Sequence, residues 1–119
     1  MIFVGRVRHK PMSKKRIYQT FTHREAVFRI CCEAIDVVRS EIVRQRKILE
    51  DYIERYPEFQ HSLEPLDLDP DAPEVAQRMA RAARKAGVGP MAAVAGAMAQ
   101  CGAEAGLKAG AREVIVENG

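Results

Sequence analysis

The feature that most constrains this chain is a stretch from about Ala34 to Tyr56 in which Ile35, Val38, Ile42, Leu49, Ile53 and Tyr56 recur at steps of three, four and seven. Such spacing places apolar side chains on one face of an α-helix and requires a second layer to cover them. The opposite face carries Arg39, Arg44, Lys47, Glu50, Asp51 and Glu54, which suits solvent. Pro57 removes a backbone donor and ends the helix, and a connection rich in proline and acid runs to Asp71.

On either side the periodicity changes. Met1 to Arg8 and Arg16 to Thr22 hold short apolar or β-branched runs, separated by a turn-like cluster of Pro11, Ser13, Lys14 and Lys15. These predict two strands joined by a loop. Glu25 to Cys32 reads either as a third strand or as the lead into the long helix. Downstream, Asp71 with Pro73 and Glu74 predicts a helix start, its carboxylate accepting free N–H groups. The apolar face of that helix is Val75, Met79, Ala82 or Ala83, and Ala86, and it stops at Gly87, which is free to adopt a left-handed cap. Gly89 and Pro90 open another helix, with Met91, Val94, Ala95, Met98, Cys101 and Ala105 at helical spacing and many small residues between them. Close packing against a sheet or another backbone follows from that composition. Glu113 to Asn118 is a short buried strand.

The expected fold is therefore α+β: N-terminal strands, a long amphipathic helix, two further helices and a C-terminal strand. With 119 residues there is material for one domain, in which residues 1–14 read as a flexible basic arm. A buried strand at the C-terminus needs neighbours, which suggests an unfinished fold, continued by further polypeptide or completed in a homo-oligomer.

Composition excludes several function classes. The net charge of +3 is concentrated near the N-terminus, at Arg6, Arg8, Lys10, Lys14, Lys15, Arg16 and Arg24. A nucleic-acid reader carries a denser basic stripe with interleaved aromatics, whereas this chain has three tyrosines, four phenylalanines and no tryptophan. Cys31, Cys32 and Cys101 show no metal-binding spacing, and adjacent cysteines rarely bridge. All three read as buried, reduced thiols of a cytoplasmic protein. His9, His23 and His61 have no nucleophile partner in a recognisable arrangement. The long low-charge stretch from Gly87 to Ala103 is built of alanine and glycine, too weakly apolar for a membrane span.

The best candidate site is the turn Gly87-Val88-Gly89-Pro90-Met91, with Ala92 behind it. There the final helix presents unpaired N–H groups and the positive end of its dipole, a natural seat for a phosphate or pyrophosphate. No GK[ST] follows, so it is not a Walker loop, and a tight turn between packed helices is the alternative. Glu117-Asn118-Gly119 ends the last strand with polar groups, where ligands commonly gather in layered folds. Tyr52, Tyr56, Pro57 and Phe59 with Ser62, Glu64 and Pro65 form a further cluster, either an aromatic helix end packed under its loop or a pocket wall.

Three of these stretches carry a resemblance. Tyr52-Ile53-Glu54-Arg55-Tyr56-Pro57-Glu58-Phe59 with Ser62-Leu63-Glu64-Pro65, then Ala86-Gly87-Val88-Gly89-Pro90-Met91-Ala92-Ala93-Val94-Ala95-Gly96, then Val114-Ile115-Val116-Glu117-Asn118-Gly119 together resemble the N-terminal half of an uncharacterised bacterial and archaeal family related to the ApbE flavin transferases. The resemblance covers about residues 15–119 and implies a T-fold-like layered domain. It also implies FAD as ligand, Mg²⁺ held by residues beyond this stretch, and an acceptor protein that would receive FMN on a threonine or serine. By this similarity the flavin nucleotide would be bordered by Gly87, Gly89, Pro90, Met91 and Ala92 on one side and by Glu117, Asn118 and Gly119 on the other. Where ApbE proteins usually show Ala-Lys-Gly, this sequence has Val94-Ala95-Gly96, and Gln100 stands where an Asp is expected. The rival reading is a non-catalytic assembly module, with the small-residue helix as its packing surface.

Overall fold

A computed structural model describes residues 2–6 and 16–118, the side chains of Phe3 and Arg6 excepted. The turn cluster at Pro11, Ser13, Lys14 and Lys15, His9 and Gly119 lie outside the described residues. The elements run β1 (Ile2–Arg6), β2 (Gln19–His23), β3 (Ala26–Cys32), α1 (Ile35–Arg55), α2 (Glu58–His61), α3 (Glu74–Ala86), a 3₁₀ turn (Pro90–Ala93), α4 (Val94–Lys108) and β4 (Glu113–Asn118). The α+β expectation holds, and the ambiguous stretch before α1 is a strand.

The described strands form one antiparallel sheet in the order β1-β4-β3-β2. Consecutive strands β1 and β2 thus lie at opposite edges. The C-terminal strand sits between β1 and β3 and takes both neighbours from within the chain, so the expected lack of partners does not arise. Ile2–Arg6 belongs to the sheet although it falls within the stretch expected to be an arm; residues 7–14 are outside the described set.

Opposed residues of an antiparallel pair point to the same side. Val114, Val116 and Asn118 therefore share a face with Cys32, Ile30 and Phe28, and this face meets α1 and α4. Val38, Ile42 and Leu49 of α1 are fully buried there, with Tyr52 nearly so, while Ile35, Ile53 and Tyr56 are only half covered. The other face carries Glu113, Ile115 and Glu117. Arg16 grips the buried Glu113 through two hydrogen bonds of 3.0 and 3.1 Å, and Arg29 pairs with Glu117 at 3.0 Å. The Arg29 guanidinium lies 4.7 Å from the Tyr18 ring, so residues 16–18 are drawn over this side of the sheet.

The small residues of α4 let it approach closely. A methyl group added at Gly106 would stand 2.9 Å from Val114 Cγ2, 3.0 Å from Val38 Cγ2 and 3.1 Å from Cys32 Sγ. One added at Gly102 would meet Ile42 and Val38 at 3.0–3.1 Å. The glycines are thus spent inside the fold, against α1 and β4, rather than on a partner's surface.

Two expectations need correction. Asp71 does not cap α3: Pro73 occupies that position, and no side chain caps the helix. The approach is fixed instead by Gln77, whose amide donates to the carbonyls of Pro70 and Ala72, both at 2.9 Å. Of the cysteines only Cys101 is buried, Cys31 and Cys32 being half-buried, although all three are free thiols. Burial pushes the Cys101 and Cys32 thiols up, away from reactive thiolate.

Because Val114, Val38 and Cys32 already crowd the position a side chain would take, Gly106→Val should cost about 1–3 kcal/mol through overpacking. Urea unfolding would measure it, and a variant as stable as wild type would contradict this account of the interface.

Candidate functional site

The two glycines before α4 do different work. Gly87 terminates α3 in the left-handed region, at φ 72°, with Val88 N–H donating to the Ala83 carbonyl at 3.1 Å. This is the predicted cap. Gly87 is exposed, and nothing would lie within 4 Å of a side chain there. Gly89 has an ordinary φ of −72° and is buried. Its lack of a side chain is needed because the Ser62 carbonyl crosses directly over it, where any Cβ would clash.

The expected row of free amides is accordingly reduced. The chain makes a 3₁₀ turn before α4 begins at Val94, and within it Ala92 N–H donates to the Gly89 carbonyl at 3.2 Å and Val94 N–H to the Met91 carbonyl. Pro90 is buried and has no N–H, Met91 is half-buried and Ala92 is exposed.

Asn118 and the start of α4 do come together. Asn118, nearly buried at the end of β4, donates through Nδ2 to the Ala95 carbonyl at 3.3 Å. Glu117 points to the other face of the sheet, where it pairs with Arg29, so it does not join Asn118. Gly119 lies outside the described residues.

A groove opens one turn further along. It has a volume of about 230 Å³ and is lined by Arg78 and Ala82 of α3, Ala93, Gly96, Ala97 and Gln100 of the turn and α4, and Ile2 of β1. Gln100 Nε2 donates to Glu104 at 3.2 Å. Arg78 pairs with Glu104 at 2.9 Å and reaches Glu74 at 3.4 Å. Arg78, Ala82 and Ile2 escaped the sequence reading because only the tertiary packing of α3 and β1 beside α4 brings them there. The spacing of Gly96 and Gln100 along one helix was visible in advance.

Two other concavities lie on the described surface. One of about 210 Å³ between α1, α3 and α4 is lined largely by paired charges, with Arg44 on Glu41 at 2.9 Å beside the Arg78 pairs. The hydrogen bond from Arg44 holds the Glu41 carboxyl below the usual glutamate range. The other, about 440 Å³, is bounded by Tyr52, Arg55, Tyr56, Asp67 and Asp69. Phe59 is fully buried beside it, edge-on to Tyr52 at 5.3 Å, so the aromatic cluster is mainly a packed helix end, and Glu64 is exposed.

Comparison with known proteins places this geometry in context. A family described as AbpE bacteria matches residues 13–119. The chain belongs to this family. It is similar to proteins named "UPF0280 protein" from several archaea: one from Methanosarcina acetivorans is 41% identical over 106 residues, covering 87% of this chain and 42% of that protein. One from Methanospirillum hungatei is 42% identical over 113 residues, covering 95% and 43%. One from Methanocella arvoryzae is 47% identical over 90 residues, covering 76% and 34%. The chain spans less than half the length of these curated relatives. Among the described residues no helix is long and apolar enough to cross a membrane, and no group of three or more His, Cys, Asp or Glu is arranged to hold a metal ion.

The contrast between the two glycines is measurable. Gly87→Ala should cost about 1–2 kcal/mol from the left-handed backbone alone, whereas Gly89→Ala must displace the Ser62 backbone and should lower the melting temperature further. Equal effects in thermal denaturation would contradict the assigned roles.

Proposed function

We propose that this chain is part of an ApbE-like protein that binds a flavin nucleotide, FAD, in the groove beside the first half of α4. The reading rests chiefly on one observation: Gly96, within the second resembling stretch, and Gln100, which stands where ApbE proteins are expected to carry an Asp, line a single groove. Asn118, from the third resembling stretch, ties the adjacent turn of α4 to the sheet and so fixes one side of it. The turn from Gly87 to Ala92 borders this region as a scaffold, with Gly89 admitting the Ser62 loop. Glu117 faces the other side of the sheet, paired with Arg29, and stays outside the groove.

The groove is smaller than the roughly 300–1,000 Å³ of pockets that enclose a whole drug-sized ligand, so it would hold one portion of a dinucleotide. The remainder would contact polypeptide of the kind that makes the relatives longer. By the same resemblance, Mg²⁺ would be held by residues beyond this stretch. By the resemblance, transfer of FMN to an acceptor protein would draw on groups outside this stretch. A cytoplasmic setting goes with this reading.

The assembly-module alternative has the glycines before α4 serving the turn, as Gly87 and Gly89 do, but Gly102 and Gly106 pack within the chain rather than on an outer surface.

Titrating the purified protein with FAD while following flavin fluorescence should give saturable quenching, and Gly96→Leu should abolish it without unfolding the protein. No change at high micromolar FAD, with and without Mg²⁺, would refute the proposal.

A further inference from the structure

The cavity of about 440 Å³ between the end of α1 and the connection to α3 has a volume typical of pockets that take small ligands. Tyr52 forms part of its wall. The ring is packed edge-on to Phe59 at 5.3 Å and to Tyr56 at 5.9 Å, and only 8% of the residue is exposed. Its hydroxyl nevertheless makes no hydrogen bond among the described residues. The polar side-chain atom that is both sealed and unpartnered among them is Arg78 Nη1, so the Tyr52 hydroxyl is open, on the cavity that this residue lines. A tyrosine buried to this degree normally finds a partner for its hydroxyl.

The rest of the lining is rich in acceptors. The Asp69 carboxylate makes no hydrogen bond or ion pair among the described residues, and Asp67 commits one oxygen to Arg84 at 2.6 Å. Tyr56 Oη donates to Glu58 at 3.3 Å, which leaves its lone pairs to accept. Burial first, then Asp69 and more weakly Asp71, push the Tyr52 phenol up against the opposing Arg55, so the hydroxyl stays neutral. Arg55 is the cation on the lining and has no carboxylate partner among the described residues. Its guanidinium lies instead 5.7 Å from the centre of the Tyr52 ring, a spacing at which the ring attracts a cation.

We propose that this cavity binds an organic cation, a guanidinium or primary ammonium on an alkyl stem, whose N–H groups are accepted by the Asp69 carboxylate and the Tyr52 hydroxyl while the exposed Arg55 swings aside. Such a head group carries donors and no acceptor, the complement of this lining. Carboxylates beside aromatic rings also select a cation over an anion. The same head group is carried by a free amine and by an arginine or lysine side chain of a partner protein, and the site recognises what they share. It stands apart from the flavin reading, with no lining residue in common with the α3–α4 groove.

Calorimetry on the purified protein with butylguanidinium, with an arginine tripeptide blocked at both ends and with glutarate as an anionic control tests this. The cations should bind saturably and more weakly as salt is raised, and glutarate should not bind. A peptide that binds as well as butylguanidinium assigns the site to a side chain of a partner, and binding of butylguanidinium alone assigns it to a free cation; each supports the site. Tyr52→Phe should weaken cation binding by about threefold or more with the melting temperature unchanged, because the hydroxyl has no partner within the described protein. Asp69→Asn should weaken it by about tenfold. Arg55→Gln, which removes the resident cation, should strengthen it several-fold.

Binding of glutarate, or weaker cation binding in Arg55→Gln, would make Arg55 an anchor for anions and overturn the proposal. Cation binding indifferent to both Tyr52→Phe and Asp69→Asn, or no binding of either cation at millimolar concentration, would overturn it as well.

Discussion

The fold depends on the close approach of α4 to α1 and β4. Gly102 and Gly106 have no side chain where Ile42, Val38, Val114 and Cys32 would otherwise be struck, so the helix settles onto the sheet with almost no gap. Dispersion contacts weaken steeply with separation, which makes this approach a condition for a dense core rather than a by-product of it. It also fixes the rotation of α4. With Gly102 and Gly106 turned inward, Gly96 and Gln100 face the groove beside α3.

That division gives the helix two functions along its length. Its second half holds the layers together, and its first half, steadied by Asn118 on the Ala95 carbonyl, forms a wall of the groove. The arrangement also changes the physical picture of the candidate site. A pyrophosphate resting on free amides at Gly89 is hard to reconcile with the Ser62 carbonyl lying across that residue and with the 3₁₀ turn that consumes the Ala92 and Val94 amides. The groove one turn later is lined mainly by small apolar residues, with Arg78 and Gln100 among them.

Much of the fold was legible in local pattern. The three-four-seven spacing from Ile35 to Tyr56 became α1, the Gly87 cap was placed by its freedom at positive φ, and Val114 to Val116 became a buried strand. What local pattern could not disclose was pairing. Nothing in Ile2–Arg6 says that it will flank the last strand, and the supposed lack of neighbours for β4 came from reading order along the chain as order in space. Asp71 had the chemistry of a cap but not the position, because Gln77 reaches back to Pro70 and Ala72 and sets the approach one residue pair later. The site was half legible for the same reason. Positions on one helix could be grouped from spacing, whereas Arg78, Ala82 and Ile2 join them only through tertiary contact.

The most direct test of the central claim, that the first half of α4 turns a recognition surface toward α3, is amide shift mapping by NMR as FAD is added. The account predicts that Ala82, Ala93, Gly96, Ala97 and Gln100 respond together while Gly102 and Gly106 stay fixed. Shifts centred on Gly87 to Ala92, or on Tyr52 and Asp69, with the α3–α4 groove silent, would contradict it.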